Sequence, residues 1–115
     1  MQVPIPFLPQ LADQADMLRA YASPLEKEVL MACQAALGQE VLHQVPVEDF
    51  IVQFMIPALG VAFDLLEEGH EHPDGYLGLY RRKERLAYWQ YRYVALEGVE
   101  WAESKEKTLQ KLLKA

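Results

Sequence analysis

The stretch FIVQFMIPALGVAF, residues 50–63, decides how the chain is read. It is the most apolar part of the sequence, and Gln53 is its one polar residue. A membrane span needs about 20 residues, so this stretch reads as buried core. Extended to about residues 47–68 it reads as a central helix. Phe50, Phe54, Ala58, Val61 and Leu65 recur at helical spacing, and Ile51, Met55, Ala62 and Leu66 widen the face. Pro57 removes an N–H donor and clashes with the carbonyl four residues back, so a kink is expected there, and Gly60 adds to the weakness. A strand over residues 50–56 is the alternative.

Working outward, residues 69–75 read as a loop punctuated by Gly69, Pro73 and Gly75. A helix over about residues 77–96 would align Leu79, Leu86, Trp89, Tyr93 and Leu96. Within it, residues 88–94 are rich in strand formers, which makes a strand the competing reading. A last amphipathic helix is expected over residues 99–113, carrying Trp101, Leu109, Leu112 and Leu113. Upstream, Ser23-Pro24-Leu25-Glu26 is a capping box with proline at the first helical position. It opens a helix that would run to about residue 43 or 44, stopped by Pro46, with Val29 and Cys33 facing inward. An earlier helix is expected from residue 9 or 10 to 22. Residues 1–9 hold Pro4, Pro6 and Pro9 and should form an extended arm, whose Val3, Ile5, Phe7 and Leu8 would lie on this domain or on a partner.

Composition supports the same picture. The 115 residues fit one domain, and 51% hydrophobic with 24% charged residues is ordinary for a folded protein. There is no Asn, one Thr and two Ser, whereas hairpin-rich sheets usually draw on Asn, Thr and Gly. The expectation is an all-α fold: a bundle of four to five helices, residues 10–115, behind the extended arm. Cys33 is the single cysteine, so no internal disulfide is possible. With no basic leader-like N-terminal region, this points to the cytoplasm and to no membrane association.

Charge is lopsided. Residues 1–74 hold two basic and twelve acidic residues, and residues 75–115 hold nine basic and five acidic, within a net charge of −6. Arg81, Arg82, Lys83, Arg85 and Arg92 cluster, interleaved with Tyr80, Tyr88, Trp89, Tyr91 and Tyr93. A solvated face is the plain reading. A docking surface for an acidic protein or a second copy is another. Contact with RNA or DNA phosphates, with aromatics stacking on bases, is a third. For the last, size and helical build resemble the small helical subunits of CRISPR effector complexes.

Chemistry-bearing motifs are sparse. His70, Glu71 and His72 sit in an acidic loop whose donor types suit a divalent transition metal. No glycine-rich phosphate loop is present, and no cofactor motif. Hydroxyl nucleophiles are scarce, and Ser23 is committed to capping. The sequence therefore reads as a non-catalytic interaction module (a subunit, adaptor or assembly factor). Its alternatives are a nucleic-acid-bound subunit using residues 81–92, and a small metal-dependent enzyme or sensor using His70 and His72.

Overall fold

The computed structural model describes residues 5–66 and 75–113. Its elements run α1 (Gln10–Ala20), α2 (Pro24–Leu37), β1 (Leu42–Val47), β2 (Phe50–Ile56), β3 (Val61–Leu66), α3 (Gly75–Tyr88), β4 (Arg92–Glu97), α4 (Gly98–Glu103) and α5 (Lys105–Leu113). The strands form one sheet in the order β1-β2-β3-β4. The first two pairings are antiparallel, and β4 lies parallel to β3 after the α3 crossover. The fold is therefore mixed α and β, and the expectation of an all-α helical bundle is wrong. The likeness in build to small helical CRISPR subunits goes with it.

Residues 50–63 explain the error. A strand buried on both faces reads as a continuous apolar run, and its periodicity does not separate it from a buried helix. Pro57 does not kink a helix. It ends β2 and opens a 3₁₀ turn, Pro57–Leu59, closed by Gly60 at φ +62°. A side chain at Gly60 would add strain to that left-handed backbone and meet the Gln90 carbonyl oxygen at 3.4 Å. The strand formers after residue 88 prevailed as well. The α3 helix stops in a Schellman motif, with Tyr91 N–H donating to Leu86 O at 2.8 Å and Gln90 N–H to Ala87 O at 2.9 Å. Gln90 takes the left-handed position, φ +68°, where glycine is usual.

The second helix ends early, at Gly38 with φ +63°. Pro46 then lies within β1, paired only with Ile51 of β2. An edge strand tolerates proline because its outer side needs no ladder donor. The expected last helix is two, α4 and α5, divided at Ser104. The capping box forms as its spacing implies, with Glu26 N–H donating to Ser23 Oγ at 3.1 Å.

Two cores sandwich the sheet. On one face Val29 and Cys33 of α2, Trp101 of α4 and Leu112 of α5 pack with Phe54, Ile56, Val61, Phe63, Leu65 and Leu96. On the other, Leu86 of α3, Trp89 just past its end and Ile5 of the arm pack with Val47, Phe50, Val52, Met55 and Ala62. Residues two apart on a strand should share a face. Val52 and Phe54 do not, so the pleat of β2 reverses at Gln53. Opposite it, Gln44 of β1 adopts φ +53°. The arm folds back on its own domain: Leu8 N–H donates to Glu48 O at 2.8 Å and Glu48 N–H to Pro6 O at 2.7 Å. Phe7 and Leu8 stay about half exposed, and Val3 lies outside the described residues.

Candidate functional site

The reversal at Gln53 leaves polar chemistry inside an apolar sheet. Backbone pairing of β2 with β3 stops at Phe54 opposite Phe63. Beyond it, side chains take over the ladder. Gln53 N–H donates to Asp64 Oδ1 at 2.9 Å, and Leu65 N–H donates to Gln53 Oε1. The other oxygen, Asp64 Oδ2, accepts from Arg82 Nη1 at 2.9 Å and from Tyr93 Oη at 2.6 Å. Arg82 Nη1 also reaches Ile51 O at 2.7 Å, and its guanidinium lies 5.0 Å from the Phe50 ring centre. Burial and the neighbouring Asp64 charge push the Tyr93 phenol well above its ordinary value, so it remains a donor.

This cluster lies near the carboxyl end of β3, beside the start of α3. Ligands in open α/β sheets gather at that end of the strands. There Phe50, Leu77, Gly78, Arg81 and Arg82 line a recess of about 280 Å³.

Most of the predicted basic patch is engaged within the molecule. Arg81 Nη2 meets Asp49 Oδ2 at 2.5 Å on the surface. Arg85 donates from Nε and Nη2 to the two oxygens of Glu48, 2.7 Å each, a bidentate pair. Trp89 Nε1 donates to the same carboxylate at 2.8 Å. The Arg85 bond, chiefly, holds the Glu48 carboxyl below the usual range. Arg92 donates to Lys111 O and Leu112 O at the end of α5, at 3.0 and 2.6 Å, where the helix dipole favours a cation. Lys83 is exposed, and among the described residues no ion pair involves it.

The aromatics divide. Tyr91 is buried and Trp89 half-buried, so both belong to the core edge. Tyr80 and Tyr88 are 61% and 66% exposed and Leu77 is 82% exposed. Spacings of three, four, seven and eleven residues put Leu77, Tyr80, Arg81, Glu84 and Tyr88 on one outward stripe of α3.

His70, Glu71 and His72 lie outside the described residues, and among the described residues no group of three or more His, Cys, Asp or Glu could hold a metal ion. His43 is committed elsewhere: its Nε2 meets Glu26 Oε1 at 2.5 Å, and its ring stacks on Phe54. Burial pushes the Cys33 thiol up to about 12, which leaves no reactive thiolate. Among the described residues no helix is long and apolar enough to cross a membrane.

Sequence reasoning missed Glu48, Asp49 and Asp64 as partners of the arginines. The signal was present in Gln53 and Asp64, two polar residues set into apolar strands, but their pairing requires the sheet. No protein-family model, no curated protein and no solved structure matches the chain.

Proposed function

We propose that the chain is a non-catalytic interaction module that docks a protein partner, or a second copy of itself, through the outward stripe of α3. One observation carries this reading. The guanidinium groups of Arg81, Arg82, Arg85 and Arg92 are turned onto acceptors of the same molecule, while Leu77, Tyr80 and Tyr88 are left facing solvent. Large exposed side chains grouped on one rigid element mark interaction surfaces, and tyrosine is a favoured anchor in them. Phe7 and Leu8, held on the β1–β2 turn, offer a second apolar contact. The single, buried Cys33 suits a reducing compartment such as the cytoplasm.

The test is native mass spectrometry of the protein purified from its own host at low salt, beside a Leu77→Glu, Tyr88→Glu variant. The expected result is an assembly heavier than one chain that the variant loses while remaining folded. An assembly that survives the double substitution, or a monomer in both samples, overturns the reading.

A second reading is favoured by the exposure of Tyr80 and Tyr88 beside Lys83. Such a stripe would stack single-stranded bases and touch phosphates. It requires single-stranded RNA or DNA to be retained with a steep salt dependence and to be released by Tyr80→Ala with Tyr88→Ala. Retention that ignores salt excludes it.

A further inference from the structure

Arginine carries five N–H donors on a planar fork. Among the described residues, Arg82 uses only Nη1, on Ile51 O and Asp64 Oδ2. The carboxylate opposite is already served by Gln53 N–H, Arg82 and Tyr93, so it has little room for more. Arg82 Nε is buried, and among the described residues it finds no acceptor. No bond from Nη2 to a described residue occurs either. A buried donor without a partner costs about 1–3 kcal/mol, and more when its group is charged.

The idle edge has a defined shape. Nε–H and one Nη2–H of a guanidinium run parallel and match two oxygens of a carboxylate or phosphate group. Arg82 lines the recess of about 280 Å³, where Arg81 adds a second cation, and Phe50 and Leu77 add apolar walls. Among the described residues Arg81 is bound only by a surface ion pair, with its side chain 54% and that of Asp49 42% exposed. Such pairs contribute little, so Arg81 is free to exchange Asp49 for a ligand oxygen.

We infer that this recess is a binding site for a small oxyanion, a carboxylate or phosphate group, gripped by the Nε/Nη2 edge of Arg82 and supported by Arg81. The recess shares Leu77 and Arg81 with the outward stripe of α3, but a small oxyanion needs no macromolecular partner, so its titration is read separately from the docking test. Nε is buried, so the guanidinium turns toward the recess to bring the Nε/Nη2 edge to the oxyanion, which relieves the unpaired Nε–H.

The experiment is a titration of the wild-type protein at constant ionic strength, following the Arg82 Nε–Hε resonance by nitrogen-15 NMR. Inorganic phosphate, acetate and chloride are the three titrants. The expected result is a saturable shift of Arg82 Hε with phosphate or acetate and none with chloride, and whichever oxyanion acts identifies the ligand class. Arg81→Gln should weaken binding about tenfold, the size of one charge-assisted contact. Arg82→Lys keeps a positive charge but lacks the fork, and should abolish the saturable response, read at the Leu77 and Gly78 amides. Shifts that rise linearly and equally with all three salts overturn the site, as does undiminished binding in Arg82→Lys. If Arg82→Lys does not fold, the wild-type titration alone decides.

Discussion

Among the described residues, three adopt backbone conformations their side chains disfavour: Gln44, Glu48 and Gln90 all have φ between +51° and +68°. For L-residues with a Cβ the left-handed region costs roughly 1–2 kcal/mol. Gln90 is exposed, and its backbone N–H makes the α3 cap. Gln90→Gly should therefore stabilise the protein by about 1 kcal/mol, seen as a higher urea midpoint at unchanged slope. No gain would mean the cap is already relaxed. Tyr93 gives a test with pH. Its folded pKa is raised, so the folded state keeps a proton the unfolded state releases above the ordinary phenol value, about 10. Its contribution is complete below that value and is lost as pH rises beyond it, because there the unfolded state binds fewer protons. Tyr93→Phe should flatten the alkaline fall of stability while lowering stability at neutral pH by about 1 kcal/mol. Urea titrations at pH 7 and near pH 11 check both signs.

Among the elements, the β1–β2 turn is the joint of one face. Glu48 ties the arm by its backbone and α3 by its carboxylate. Glu48→Gln keeps the shape but gives up the bidentate charge pair. It should lower stability by about 1–3 kcal/mol and move the fluorescence of Trp89. The Glu48 carboxyl is held below its ordinary value, so its contribution exists at neutral pH and fades as pH falls through the folded pKa. The wild-type advantage over Glu48→Gln should shrink accordingly in acid. On the opposite face, Glu28 accepts from Trp101 Nε1 and Lys105 Nζ, at 3.3 and 2.6 Å, fastening α4 and α5 to α2. Trp101 itself is 1% exposed. Trp101→Ala should cost about 3–5 kcal/mol, measured as a collapse of the thermal midpoint.

At the scale of the molecule, stability is expected to be graded from the sheet outward. The paired segments of β2 and β3 are covered on both faces, and Phe54, Ile56, Val61 and Phe63 are fully buried. Their amides should open only with global unfolding, whereas α1, which buries only Leu11 and Ala15, should exchange by local opening. Hydrogen exchange measured residue by residue decides this. Equal protection of α1 and the central strands would contradict it.

The sequence by itself determined the punctuation and the burial. The Ser23 cap, the breaks at Pro57 and Gly60, and the depth of the apolar residues either side of them, 50–56 and 61–63, all follow from local chemistry. A cap, a proline or an apolar run acts through its immediate neighbours, so each was legible. Whether residues 50–63 and 88–94 formed helix or strand was not: a run buried on both faces, as in β2, carries no period, and residues 88–94 set strand formers at helical spacing. The sheet settled it by supplying ladder partners: β3 for β2 and for β4. The candidate site divided in the same way. The cluster of arginines is plain in the sequence. That Arg82 meets Asp64, Arg85 meets Glu48 and Arg81 meets Asp49, across 18, 37 and 32 residues, only the tertiary structure decided. Such pairings depend on where α3 crosses the sheet, and no local pattern encodes that crossing.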